Sequence, residues 1–102
     1  MSDDLRRPSA AALQVSRDDE GSRYEGRLDG ELAAVIDFRR RGDVLTFLHT
    51  ITEPQWRGRG LAAEITRQAL EDVRGRNLAV QPVCEFTVAY FDQHPEVADL
   101  RA

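Results

Sequence analysis

One stretch of this chain leaves little freedom in its fold. Val44-Leu45-Thr46-Phe47-Leu48-His49-Thr50-Ile51-Thr52 is dominated by β-branched and aromatic residues and reads as a central strand, buried on both faces. A turn with two glycines follows, Gln55-Trp56-Arg57-Gly58-Arg59-Gly60-Leu61-Ala62. From Gly60 to Arg76, Leu61, Ala62, Ile65, Ala69 and Val73 recur at helical spacing, with Glu64, Arg67, Gln68, Glu71 and Arg74 largely outside the stripe. Gly75 and Asn77 supply a stop. A short apolar run over Leu78 to Val83 ends near Pro82, which cannot donate to a ladder. Strand, helix and strand in this order make a βαβ crossover, so the two strands should be parallel neighbours in one sheet.

The segments before it read as antiparallel. Leu13 to Asp18 alternates apolar and polar residues as a short edge strand, and Asp18-Asp19-Glu20-Gly21 turns the chain. Arg23 to Leu28 and Glu31 to Arg39 flank Asp29-Gly30, a two-residue hairpin signal because both central residues need a positive φ. Leu32 to Phe38 is apolar on both parities until Asp37, which predicts cover on both faces. Arg39-Arg40-Arg41-Gly42-Asp43 reads as the next turn. Glu85 to Gln93 reads as a second, shorter helix ended by His94-Pro95. The expected fold class is therefore α/β with a mixed sheet: antiparallel strands, then a βαβ unit, then a short C-terminal helix. Residues 1–12 lack periodicity and read as a flexible tail, and residues 13–102 as one domain.

Charge and cysteine use narrow the function classes. A formal net charge of −4 argues against non-specific nucleic-acid binding. All 14 basic residues are arginines, so no lysine amine is present. Cys84 is the single cysteine, which excludes an internal disulfide and any cysteine-based metal spacing and fits a reducing cytoplasm. No apolar segment approaches 18 residues, and no membrane association is expected.

The chemistry points first to the glycine turn. Two glycines at the mouth of a helix let backbone N–H groups approach an anion, which the positive end of the helix dipole also favours. The turn follows a central strand and opens the crossover helix, at the sheet edge where ligands of α/β units bind. It is not a P-loop, since no Gly-Lys-Ser/Thr follows. It is not a dinucleotide fingerprint, since Ala63 stands where a third glycine would be needed.

Gln55-x-x-Gly58-x-Gly60 resembles the acyl-CoA pyrophosphate loop of the GNAT N-acetyltransferase superfamily. His49-Thr50, Arg57-Gly58-Arg59-Gly60, Pro82-x-Cys84-x-Phe86, Tyr90 and His94-Pro95-Glu96-x-x-Asp99-Leu100 are similar in order and spacing to its small single-domain branch of about 100 residues. The resemblance covers roughly residues 22–101. It implies a GNAT-like fold with acetyl-CoA as cofactor and an amine as acceptor. The pyrophosphate would lie on N–H groups of Arg57, Gly58, Arg59, Gly60, Leu61 and Ala62, with Gln55 at the loop's start. The pantetheine arm would pair with the backbone near Ile51 and Thr52, where the parallel strands splay.

Four side chains are candidates for catalysis. Cys84 opens the second helix, where a dipole lowers a thiol's pKa, and is read either as an acyl-accepting nucleophile or as an inert pocket residue. Tyr90, six residues on, is by the resemblance a general acid for the departing thiolate, with the usual offset nearer Phe91, and is otherwise read as a core aromatic. His49 alternates with Leu45, Phe47 and Ile51 and is read as a base or a hydrogen-bonded core residue. Glu53 is the nearest carboxylate, because Ile51 stands where this branch often carries an acid and Pro54 is shifted by one. Two functions remain open: an acetyl-CoA-dependent N-acetyltransferase, or a non-catalytic acyl-CoA-binding or protein-interaction domain on the same scaffold.

Overall fold

A computed structural model describes residues 9–102. Its elements are β1 (Gln14–Asp18), β2 (Arg23–Leu28), β3 (Glu31–Arg41), β4 (Val44–Thr52), α1 (Leu61–Gly75), β5 (Ala79–Pro82) and α2 (Glu85–Gln93). Short 3-10 turns lie at Ala10–Ala12, Pro54–Trp56 and Pro95–Leu100. The strands make one sheet in the order β1-β2-β3-β4-β5. It is antiparallel through β4 and parallel between β4 and β5. The mixed α/β architecture is thus the one the sequence predicts. Of the tail expected over residues 1–12, residues 1–8 lie outside the described part; Ala10 packs on the core and Leu13 is buried.

Local chemistry sets the turns. Asp29 and Gly30 have φ of 49° and 80°, the geometry a two-residue hairpin needs. The three arginines expected in the next turn instead continue β3, with Arg39, Arg40 and Arg41 opposite Thr46, Leu45 and Val44. Cross-strand pairing outweighs their modest strand propensity, and the guanidinium groups reach solvent. The turn contracts to Gly42-Asp43, with Gly42 at φ 59°. Asn77, at φ 57°, ends α1.

Both helices contribute to one core on one face of the sheet. Leu61, Ile65, Leu70 and Val73 of α1 and Tyr90 and Phe91 of α2 join Tyr24, Ile36, Phe38, Leu45 and Phe47. Each such side chain, fully buried, contributes about 1.5–3 kcal/mol. Tyr24 packs on Phe38 and Phe47, with ring centroids 5.5 and 6.0 Å away. Its hydroxyl donates to Asp72 Oδ2 at 2.8 Å, tying β2 to α1. Burial, and then Asp72, push the Tyr24 phenol above its ordinary range. Val80 bridges Arg101, and Ala102 N–H donates to the Val80 carbonyl at 2.7 Å, so the outer edge of β5 is covered.

The expectation that β4 is buried on both faces is not met: Val44 and Thr46, which turn to the outer face, are only partly buried, and even the helix face is closed only in the first half. Leu45 and Phe47 are inaccessible, whereas His49 is exposed and Ile51 is 48% exposed. The cause is a bulge. Phe47 pairs with Phe38 and His49 pairs with Asp37, so Leu48 has no partner. One extra residue reverses the alternation. Thr50, opposite the buried Ile36, shares the helix face with Phe47, while His49 and Ile51 share the other face with Asp37 and Val35.

Candidate active site

The bulge coincides with the end of the parallel ladder. β4 and β5 pair from Val44↔Ala79 to Phe47↔Pro82 and then separate. Pro82 has no N–H to offer, and the next two N–H groups, of Val83 and Cys84, both donate to the Phe47 carbonyl at 3.1 Å before α2 leads the chain away. Leu48 to Thr52 therefore runs on without a strand on that side. Glu53 N–H donates to Ala33 at 2.8 Å, so odd-numbered backbone groups face β3 in this segment. Those of Thr50 and Thr52 face the gap.

Cys84 stands where the gap opens. It is the residue before α2, half-buried, with Sγ 3.7 Å from Thr50 Oγ1. Burial pushes the thiol up, but the N–H of Thr87, the Thr50 hydroxyl, and the N–H groups of Phe86 and Thr50 act against it, and the net shift is downward. These groups stabilise a thiolate as N-terminal helix groups and donors do elsewhere. Thr50 is the site residue that sequence reasoning misses. Simple alternation gives His49 the inner position, and nothing in Phe47-Leu48-His49 announces the bulge.

The glycine turn lies just beyond β4. Pro54–Trp56 is a 3-10 turn, and Arg57 Nε donates to the Thr52 carbonyl at 3.4 Å. Gly58 and Gly60 take φ of 80° and 78°, and a Cβ on either would meet open space. Glycine is required here by conformation, not by crowding. Gly60 precedes α1 without a side-chain cap, and the first helical bond runs from Glu64 N–H to Gly60 at 3.1 Å. The N–H groups of Leu61, Ala62 and Ala63 are left free of helical partners. Arg59 lies over the Trp56 ring, 5.5 Å from its centroid. Gln55 is exposed on the 3-10 turn. Cys84, Thr50, Thr52 and the glycine turn thus line one continuous edge.

The other candidates are placed differently. His49 is exposed on the far face of the sheet, not among the core residues that its spacing suggested. Ile51 lies on that same face, and its backbone groups, two residues before Glu53, face β3, so only those of its neighbours Thr50 and Thr52 turn to the gap. Glu53 is half-buried where β4 ends. Tyr90 is buried and stacks on His94, with centroids 3.8 Å apart, and lines a cavity of about 170 Å³ with Arg67, Leu70 and Glu96. Burial, then Glu96, raise its phenol pKa. At about 100° per residue, Phe91 rather than Tyr90 falls in helical line with Cys84, and Phe91 carries no acid.

A strand pair thus opens beside a capless helix entered through two glycines. Residues 23–100 match the GCN5-related N-acetyl-transferase family model, and the protein belongs to that family. The fold is similar to the solution structure of a GCN5-like candidate N-acetyltransferase from Staphylococcus aureus, with a TM-score of 0.67, 16% identity and 90% of each chain covered. It is also similar to the crystal structure of the ribosomal-protein-S18-alanine N-acetyltransferase from Escherichia coli. There the TM-score is 0.61, the identity 13%, and the match covers 76% of this chain and 53% of the other, so this chain spans about half its length. A search of curated proteins by sequence finds no match. No helix among the described residues is long and apolar enough to cross a membrane.

Proposed function

We propose that the protein is an acetyl-CoA-dependent N-acetyltransferase. The observation that carries this reading is the run of β4 backbone groups with no strand partner, at Thr50 and Thr52, between the Cys84 thiol and a free helix N-terminus. Amide-rich pantetheine satisfies such groups, and a pyrophosphate suits the N–H groups of Gly58 to Ala62. When bound, acetyl-CoA supplies an activated acetyl group, whose transfer to an amine forms an amide, breaks the thioester C–S bond and leaves CoA as the thiol.

The chain's own residues then have distinct tasks. Arg57 and Arg59 flank the phosphate cradle as charge partners. The Thr50 N–H faces the gap as a donor for a developing oxyanion. Cys84 is the proposed acceptor of the acetyl group in a covalent route, a role supported by Thr50 3.7 Å from its Sγ and by the α2 N-terminus. His49, on the outer face, and Glu53 are the bases available to an acceptor ammonium arriving from that side. Tyr90 is kept as a proton donor only if α2 shifts, since its ring now faces α1 and His94.

Calorimetry with acetyl-CoA and CoA tests the cradle, and intact mass after incubation with acetyl-CoA tests the thiol. With no lysine in the chain, an acetyl adduct on Cys84 stands out. We expect both CoA species to bind and the adduct to vanish in Cys84→Ala. Absence of CoA binding at millimolar concentration sinks the reading. Full turnover in Cys84→Ala eliminates the covalent route and leaves direct attack. Binding without turnover across an amine panel gives the non-catalytic acyl-CoA-binding domain.

A further inference from the structure

The helices pack on one face of the sheet; on the other, Val35 is buried but Arg39, Arg41, His49 and Ile51 are exposed. That outer face does not share the protein's net charge of −4. Arg39 and Arg41 of β3, with Val44 and Thr46 of β4 and Gln81 of β5, line a groove of about 460 Å³. The neighbouring arginines are occupied: Arg23 and Arg27 pair with Glu25, and Arg40 donates to the Gly42 carbonyl at 3.0 Å. Arg39 and Arg41 are exposed and have no ion-pair or hydrogen-bond partner among the described residues. On this face Glu25 is taken up by Arg23 and Arg27, Asp37 stands two residues from Arg39 with no ion pair to it, and Asp43 follows in the adjoining turn; other acidic side chains gather at Asp18 to Glu20, along α1 and after α2.

The register places this groove in line with the site. On β3, Asp37 stands opposite His49, Arg39 opposite Thr46 and Arg41 opposite Val44. Alternate residues of a strand lie roughly 7 Å apart, so the two guanidinium positions start about 7 and 14 Å from the His49 level. The bulge at Leu48 turns His49 and Ile51 onto this outer face, at the level where the gap beside Cys84 opens. A chain laid along β3 thus meets Arg41 and Arg39 first, then Asp37 beside His49, a carboxylate suited to the acceptor ammonium at the level where the gap opens.

We infer that the outer face is the acceptor-docking surface and that the acceptor amine is carried on an acidic polypeptide segment, with carboxylates about 7 and 14 Å from the amine seated on Arg39 and Arg41. This rests on the acetyltransferase reading. Two unpaired arginines on an open face favour carboxylates and disfavour lysine-rich acceptors and polyamines, which the same charges repel.

The test uses the full chain and three fluorescein-labelled decapeptides with one free amine each: glutamate-rich, neutral and arginine-rich. Anisotropy measures binding, and acetyl transfer from labelled acetyl-CoA measures turnover. The acidic peptide should bind and react at least about tenfold better than the others, and the preference should weaken as salt rises from about 50 to 300 mM. Arg39→Gln with Arg41→Gln should abolish the preference while CoA affinity stays unchanged. Equal handling of the three peptides, or a preference that survives the double substitution, overturns the inference. If CoA does not bind but the acidic peptide still binds through Arg39 and Arg41, the acetyltransferase reading fails while the docking surface stands. If CoA binds and the acidic peptide does not, only the docking surface fails.

Discussion

The two halves of β4 share one backbone and do opposite work. Val44 to Phe47 is paired on both sides, with β3 and with β5, and buries Leu45 and Phe47 completely. Past the unpaired Leu48, His49 to Thr52 is paired only with β3 and keeps His49 and Ile51 in solvent. The first half spends its hydrogen bonds on the fold, and the second holds two residues' worth in reserve for a ligand. The difference is made by Pro82 and the bulge, not by composition, since both halves are rich in β-formers.

Substitutions should separate the halves by size of effect. Phe47→Ala, in the closed half, should cost about 3–5 kcal/mol of unfolding free energy by denaturant titration. A loss under about 1 kcal/mol would show that the closed half is not a core. Gly60→Ala should cost only about 1 kcal/mol, from its positive φ, yet lower CoA affinity by roughly tenfold or more. Gly42→Ala is the control: its φ is also positive and its surroundings open, so stability should fall similarly while CoA affinity holds. An equal loss of affinity in both would reduce the loop to a turn. Gly58→Val is a poorer probe, because a β-branched residue at φ 80° strains the fold itself.

Thr50→Val, in the open half, should leave stability within about 1 kcal/mol but slow alkylation of Cys84 at pH 7, because one of the groups that hold the thiol down is lost while the N–H groups of Thr87 and Phe86 remain. Thr50→Ser should restore it. A pH profile of alkylation that Thr50→Val does not move would remove Thr50 from the site. Tyr24→Phe probes the closed half by pH. The folded phenol is raised above the unfolded value of 10.0, so its contribution is present below pH 10 and is lost as pH climbs beyond it. The wild type should therefore lose stability more steeply than Tyr24→Phe above that pH, by urea titration. The smallest effect belongs to Ile51→Ala, which should change stability by less than about 1 kcal/mol because Ile51 is half exposed.

The sequence makes the large elements legible where period and turn chemistry agree. Asp29-Gly30 marks its hairpin, and the stripe from Leu61 to Val73 marks α1. The glycine turn is legible as an anion cradle because Gly58 and Gly60 have a stereochemical reason to be glycine. Two things stay hidden. Strand propensity treats Arg39 to Arg41 as a turn, because the partners that hold them in β3 are local in space but not in composition. The bulge stays hidden because Leu48 is an ordinary strand residue, and only the mismatch between two strands' lengths leaves it unpaired. That one mismatch moves His49 outward, brings Thr50 to Cys84, and reverses two assignments at once. The 3-10 turn at Pro95–Leu100 and the bridge from Val80 to Arg101 are tertiary in origin and carry no periodic signal.

The bulge also makes the middle of the sheet tolerant of a change in length. In a plain strand, deleting one residue exchanges the faces of everything after it. Here, removing Leu48 would set Phe47 beside His49 against Phe38 beside Asp37, and both His49 and Thr50 would keep their present faces. What would disappear is the extra twist that the bulge gives β4. The expected product is a stable, more regular sheet with a narrower gap and weaker CoA binding, so the capacity to hold a cofactor would be encoded in a single residue of chain length.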